Sequence, residues 1–376
     1  MVITGSTPKA KDRHKTWITL LGKRDAPTDG VADYCTFLAQ ALSARGVKLQ
    51  SVRVPWSEKG WLASLWLLWR DSIDWDGKWV LLQYTAFGWS RRGFPFGVLA
   101  AIAIVRSRGA RCGIVFHDGS AFSGRSFVEH LRRIAQQWVV RQAHRMAKRS
   151  IFTIAPEQLR WLNKTGYKVN IIPIGANVPA PRNYEASQPL PPTQSIATVA
   201  VFSVTEYPNA QSEIETVAYV MRQVAKAREG VRLLVFGRGA QAAEGFLRNA
   251  LQGVAVTLNV KGIIEPDEIS RLLAASDALL FVRGQLSGRR GSALAGVACG
   301  LPVVGYAGPE TVFPITEAGL ELAPQGDREA LARALTRVLN DSGHRQELRR
   351  RSVCAQENYF SWPKIANSFL RILEND

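Results

Sequence analysis

The residues best suited to chemistry lie in Ser287–Gly305, SGRRGSALAGVACGLPVVG, where a glycine-rich turn with two adjacent arginines opens a run of small residues that stops at Gly300. Free N–H groups at a helix start, the helix dipole and the guanidinium groups of Arg289 and Arg290 would together hold a diphosphate, with Gly291 and Ser292 supplying amides. A plain strand–loop–helix connection with solvated arginines fits the spacing equally well, because glycine-rich turns are common. A second glycine turn, Gly237-Arg238-Gly239, follows the apolar run Leu233–Phe236 and offers Arg238. It is too short for the GxGxxG dinucleotide fingerprint, and no such fingerprint occurs near the first strand, which weighs against a dehydrogenase. Lys261-Gly262-Ile263-Ile264 reads as a turn after a strand, with Pro266 at the first turn of the following helix.

In the first half, Gly30 stands where a strand and loop give way to a helix, so its backbone can approach an anion closely. His117-Asp118 ends an apolar run, the position at which cleft residues of open α/β sheets sit. A histidine there can orient a hydroxyl or handle a proton, and a buried hydrogen-bonded histidine fits as well. Asp74-Trp75-Asp76 has the DxD form of a metal-bound sugar-nucleotide site, but no further acid lies nearby and a surface loop is the favoured reading. No metal site is expected. Ser287 and Ser292 lack a GxSxG elbow, which argues against a hydrolase. Cys35, Cys112, Cys299 and Cys354 are far apart, without a CxxC pair or neighbouring histidine, and read as reduced, mostly buried thiols.

These segments need a frame, and 376 residues favour two domains at roughly 100–200 residues each. With 46% hydrophobic and 21% charged residues the chain can build substantial cores, which excludes a disordered or low-complexity protein. Apolar runs at Trp17–Gly22, Val47–Val54, Val80–Tyr84, Cys112–Phe116, Ile151–Ile154 and Val169–Ile174 alternate with helical stretches at Val31–Arg45, Pro95–Val105 and Ser126–Lys148. Such alternation calls for parallel strands joined by crossovers. Periodicity stops between Gly175 and Ser195, where five prolines gather. The pattern then restarts with strands at Ile196–Phe202, Arg232–Phe236, Val254–Asn259, Ala278–Val282 and Pro302–Gly305. The fold class is therefore α/β, with two Rossmann-like doubly wound domains facing across a cleft. Residues 1–180 form the N-terminal domain, 181–195 a linker, 196–357 the C-terminal domain, and 358–376 a final helix.

Charge divides unevenly between these halves. Residues 1–180 hold 27 Lys and Arg against 11 Asp and Glu, whereas residues 181–376 hold 21 against 20. The first half should face something anionic. Tryptophans gather there too, at Trp56, Trp61, Trp66, Trp69, Trp75, Trp79 and Trp89, among Lys59, Arg70, Lys78, Arg91 and Arg92. Both core packing and a bilayer interface fit this mixture. The helix from Arg125 to Arg149 adds further arginines. Nucleic acid is not an expected partner, because no helix-turn-helix, finger or RNP-type pattern accompanies the charge. No apolar run reaches the roughly 18 residues of a membrane span, and Met1–Lys15 lacks a secretory apolar segment. The expected location is cytoplasmic, peripheral at the inner face of the membrane.

Several stretches resemble the retaining GT-B glycosyltransferases, particularly the large nucleotide-sugar family 4. Thr28–Tyr34 (TDGVADY) with Leu38–Gly46 resembles that family's first loop and helix, and Ile172–Asn177 (IPIGAN) the end of its first domain. Lys261-Gly262, Pro266-Asp267-Glu268 and Ala275-Ser276-Asp277-Ala278 resemble a middle segment of its second domain. Ala298–Val304 (ACGLPVV) matches the family's ACGxPVV, and Tyr359–Trp362 resembles the lead into a last helix that crosses back onto the first domain. The resemblance implies transfer of a sugar from a nucleotide-diphosphate sugar with retention, by a hexosyltransferase-type enzyme that needs no metal or other cofactor. It implies that Gly30 closes over the phosphates, Arg289, Arg290, Gly291 and Ser292 hold the leaving group, Lys261, Gly262 and Ile263 line the base, and His117 faces the sugar.

The chain departs from that family where charge matters. The paired glutamates fall on Ser287 and Ala295, and the cations expected after the first strand of the second domain fall near Val204 and Asn209. Arg289, Arg290 and Arg238 then become the replacements, and Glu310 the remaining carboxylate for sugar hydroxyls. The implied acceptor is a glycan or lipid-linked molecule at an anionic membrane surface, in polysaccharide or glycolipid synthesis. A donor-site-degenerate scaffold or partner subunit is the alternative; a sugar-nucleotide epimerase is disfavoured by the missing acids.

Overall fold

The computed structural model describes residues 15–25, 29–118, 126–154, 159, 169–179, 181, 196–205 and 210–374. Most of the linker expected at 181–195, with Asn209 and Gly119-Ser120, lies outside the described residues. The first sheet contains Lys15–Leu21 (β1), Val47–Arg53 (β2), Trp79–Tyr84 (β3), Arg111–Phe116 (β4), Arg149–Phe152 (β5) and Asn170–Ile171 (β6). Its order is β2-β1-β3-β4-β5-β6, and every pairing is parallel. All six residues of β3 are buried, as expected of a parallel strand covered on both faces. The covering helices are Gly30–Ser43 (α1), Trp56–Lys59 (α2), Trp61–Asp71 (α3), Gly97–Ser107 (α4) and Phe127–Met146 (α5).

The second sheet contains Ala197–Phe202 (β7), Val231–Phe236 (β8), Val256–Val260 (β9), Ala278–Gln285 (β10), Val303–Tyr306 (β11) and Leu320–Ala323 (β12). Its parallel order is β12-β11-β10-β7-β8-β9, the doubly wound arrangement in which direction reverses between the first strand and the fourth. Helices Ala210–Lys226 (α6), Ala240–Ala250 (α7), Pro266–Ala274 (α8), Gly291–Ala298 (α9), Arg328–Asn340 (α10) and Ser342–Ala355 (α11) surround it. The β12 strand was not anticipated, since LELA is only four residues long, and β10 runs past Val282 to Gln285. The β6 strand is shorter than the apolar run Val169–Ile174, because Pro173 has no N–H to continue the ladder.

The chain passes between the two cores twice, side by side. Ile172 packs in the first core, Ile174 touches both, and Ala176 and Val178 belong to the second. On the return, Phe360 is in the second core, while Ile365, Ala366, Phe369 and Leu373 of the last helix, Trp362–Glu374 (α12), are in the first. Trp362 fastens the crossings together. Its Nε1 donates to Ala176 O at 2.8 Å and its ring stacks on Phe37 at 5.6 Å. A side chain at Gly175 would come within 2.7 Å of that ring.

Candidate active site

Between the carboxyl edges of the two sheets lies a cavity of 540 Å³. From the first domain it is lined by the loop after β1 (Gly22–Asp25), the start of α1 (Asp29–Val31), Gln83 and Thr85 at the end of β3, Phe87, and His117-Asp118 after β4. Arg289, Arg290 and Gly291 face them from the second domain. The turn ahead of α9 therefore points into the groove between the domains. The floor depends on Gly22, where a Cβ would meet Gly88 O at 2.1 Å. That same carbonyl accepts hydrogen bonds from Lys23 N at 2.7 Å and Trp56 Nε1 at 3.0 Å.

His117 is held in one tautomer by a chain of hydrogen bonds. Thr19 Oγ1 donates to Leu81 O at 3.3 Å and accepts from Gln83 Nε2 at 3.1 Å, which turns Gln83 Oε1 toward His117 Nε2 at 2.8 Å. Nε2 then carries the ring proton, and the lone pair sits on Nδ1. The Tyr34 ring packs edge-on at 5.0 Å between centroids. Burial lowers the pKa of His117 to about 4, so the ring is neutral at physiological pH. Beside it, Asp118 Oδ2 accepts from Ala86 N at 3.1 Å. Burial raises the Asp118 carboxyl, opposed by that N–H and by the charge of Arg289 across the cleft.

The cationic side of the cleft is richer than the sequence reading had it. Arg289 donates to Glu310 Oε1 at 2.6 Å, and Arg290 interacts electrostatically with Arg289, Glu310, Arg283 and Glu213. Arg283, near the carboxyl end of β10, donates through Nε to Thr205 Oγ1 at 3.3 Å and feels both Glu213 and Arg238. Glu213 on α6 is buried and accepts from Thr205 N at 2.7 Å and Thr205 Oγ1 at 2.6 Å. Burial lowers the pKa of Arg283 and of Arg290, yet guanidinium groups stay charged throughout the physiological range. Arginines 238, 283, 289 and 290 thus gather with glutamates 213 and 310, and Asp118 faces Arg289 from the other wall. Among the described residues, the buried Nε groups of Arg289 and Arg290 have no hydrogen-bond partner.

The other residues read from the sequence fall in several places. Gly30 lines the cavity as the first residue of α1, but Asp29 already caps that helix, accepting from Ala32 N at 3.1 Å and pairing with Arg53 at 3.0 Å. The start of α9, by contrast, has no side-chain cap. Ser292 is the second residue of α9. Arg238 accepts Val204 N on its carbonyl at 2.9 Å, which places it beside Thr205. Lys261 pairs with Glu268, Gly262 O accepts from Gly237 N at 2.9 Å, and Ile263 is exposed; none of the three lines the 540 Å³ cavity. Glu310 borders a smaller adjoining pocket with Ser287 and Arg289. Ala295, at the second glutamate position, is buried in the core.

Asp74 of the DxD sequence pairs with Lys78 at 3.0 Å, and among the described residues no three His, Cys, Asp or Glu side chains come together as a metal site. The four cysteines are unpaired and three are buried. Arg283, Glu213, Thr205 and Gln83 escaped the sequence reading. Three of them left a trace: Arg283 and Gln83 as a cation and an amide near the end of an apolar strand, and Glu213 as an acid on the buried stripe of a helix.

Comparison with known proteins agrees with this fold. No curated protein matches the sequence. The chain is similar in structure to HepE of Anabaena solved with UDP and glucose, at 15% identity over 96% of this chain and 100% of that one, with a TM-score of 0.64. It is similar to sucrose-phosphate synthase from Thermosynechococcus elongatus, at 17% identity over 96% and 98% of the chains, with a TM-score of 0.66. WaaG, a glycosyltransferase involved in lipopolysaccharide biosynthesis, is 13% identical over 96% and 100%, with a TM-score of 0.59. The two sheets, their order and the cleft are thus those of the GT-B fold, and residues 198–341, most of the second domain, match the family described as Glycosyl transferases group 1.

Proposed function

We propose that the chain is a retaining glycosyltransferase of hexosyl type that takes its sugar from a nucleotide-diphosphate donor. The observation that carries this reading is the pair of adjacent arginines at the cleft, Arg289 and Arg290, whose buried Nε donors have no hydrogen-bond partner among the described residues. When the donor C1–O bond breaks, its electron pair passes to the diphosphate, and preorganised guanidinium groups with the amides of Gly291 and Ser292 stabilise that charge. A metal ion has no necessary part in this scheme. The acceptor oxygen forms the new bond to C1 on the face the diphosphate leaves, and its proton passes to a diphosphate oxygen. Neutral His117 and Asp118, on the opposite wall, orient the sugar hydroxyls. The donor's leaving group fits the second domain, so the acceptor belongs to the basic first domain; its charge suits a lipid-linked glycan at a membrane, as in polysaccharide or glycolipid synthesis.

The Arg289–Glu310 ion pair and the buried Ala295 favour a second reading, a scaffold or partner subunit whose donor site no longer binds. A thermal-shift and calorimetric screen of nucleoside diphosphates and their sugars separates the two, because a ligand that binds only the folded chain raises its unfolding temperature. Stabilisation by at least one nucleotide sugar, lost in Arg290→Met, supports the transferase. No binding by any of them supports the scaffold.

A further inference from the structure

The α5 helix presents a stripe that no other part of the described chain covers. Phe127, Leu131, Ile134 and Trp138 recur at intervals of four, three and four residues, and all four are exposed, Phe127 to 75%. On the opposite face of the helix, Gln136, Val139, Val140 and Ala143 are buried against the domain. A helix with one apolar face toward its own core and another toward solvent is not the ordinary surface pattern. Phe96, half exposed in the loop before α4, extends the stripe by packing on Trp138 at 6.0 Å between ring centroids. Further round the same helical layer, Trp66 and Trp69 of α3 are half exposed, with the guanidinium groups of Arg70 and Arg108 over their rings at 5.2 and 4.0 Å.

Arginine accompanies the apolar side chains throughout. The exposed line of α5 continues toward its C-terminal end as Arg141 and Arg145. Glu129 is the one acid in the twenty residues of α5. Two such faces meeting would bring arginine rows together, which disfavours a second copy of the chain. Aromatic rings that reach outward beside guanidinium groups match a bilayer interface, where rings sit at headgroup depth and cations meet anionic lipid phosphate. The stripe is also oriented by topology. In a parallel β–α unit the helix starts at the carboxyl edge of the sheet, so Phe127 and Leu131 lie at the cleft end of α5. Phe87, exposed and lining the cleft, begins the same loop that carries Phe96.

We infer that the outward faces of α5 and α3, with Phe96, insert into the headgroup layer of an anionic phospholipid bilayer and bring the mouth of the cleft to the membrane. This deepens the acceptor half of the proposed function, and its test is independent of the donor. The whole chain is sedimented with vesicles of pure phosphatidylcholine and with vesicles in which about one-third of the lipid is phosphatidylglycerol, at low and high salt. Binding to the anionic vesicles, weakened by salt and small on phosphatidylcholine, is the expected result.

The triple variant F127S/L131S/W138S should lose about tenfold or more of that partitioning, and the double variant R141E/R145E a comparable amount. All five positions lie on the exposed face of α5, and Trp138 also touches Phe96, so the variants count only where the unfolding temperature and the thermal shift with UDP stay near wild-type values. Brominated phospholipid should quench tryptophan fluorescence in the wild type and less in the triple variant. No sedimentation with anionic vesicles at low salt, or equal partitioning by the triple variant, overturns the inference. So does a wild-type dimer that the triple variant turns into monomer without vesicle binding. Loss of vesicle binding with UDP binding intact removes this surface alone; loss of UDP binding with vesicle binding intact removes the donor site alone.

Discussion

Replacing Arg290 by methionine keeps the aliphatic stem and removes one positive charge from the set facing the cleft. A guanidinium about 4 Å from a phosphate contributes about 4 kcal/mol at an effective dielectric of about 20. The repulsion of Arg290 by Arg289 and Arg283 is present with and without UDP and so cancels from the change in affinity, but solvation of the free guanidinium and phosphate offsets much of the gain. Hydrogen bonds to charged groups are worth about 1.5–3 kcal/mol net, and the half-buried Arg290 lies toward the upper end. Affinity for UDP measured by calorimetry should therefore fall by roughly 30- to 150-fold. The control is Arg333→Met, which removes the same charge from an exposed pair with Glu329 and should change UDP affinity by less than about twofold. A UDP dissociation constant for R290M within about threefold of wild type, with the fold intact, would refute the assignment of the diphosphate to this turn.

Three further outcomes follow from the same geometry. Burial raises and the hydrogen bond and charge of Arg289 and Arg290 lower the Glu310 carboxyl, with the net shift downward, so Glu310→Gln releases Arg289 and should tighten UDP binding by about threefold to tenfold; weaker binding would mean that Glu310 serves the nucleotide directly. Because the pKa of His117 is depressed to about 4, its contribution to stability is complete above the ordinary value of 6.5 and lost as pH falls from there toward 4. An NMR titration of the ring should show a midpoint near 4, and a midpoint near 6.5 contradicts the burial of the imidazole. Gly22→Ala places a methyl against the backbone carbonyl of Gly88, which should cost about 1–3 kcal/mol in thermal unfolding and weaken ligand binding; an unchanged melting temperature contradicts the tight floor.

The alternation of apolar runs made both sheets legible, since parallel strands buried on two faces have few ways to hide in a sequence. Arg289 and Arg290 were legible because a glycine-rich basic turn before a helix of small residues is a compact local signal. Arg283 and Glu213 were not, because their meeting depends on β10 lying beside β7 and on α6 returning over it, which no local window contains. The tryptophans show the same limit from another side. Trp56, Trp75, Trp79 and Trp89 are core residues, whereas Trp66, Trp69 and Trp138 face outward. In α3 apolar residues occur on every face, so periodicity could not sort them; only the packing of α4 alongside does.

A crystal structure of the wild-type chain with UDP tests the central claim most directly. The account predicts the diphosphate within hydrogen-bond distance of the Arg290 guanidinium and the Gly291 and Ser292 amides, with Arg283 close behind. A diphosphate held elsewhere, or a cleft without nucleotide at saturating UDP while Arg289 remains locked to Glu310, would contradict it.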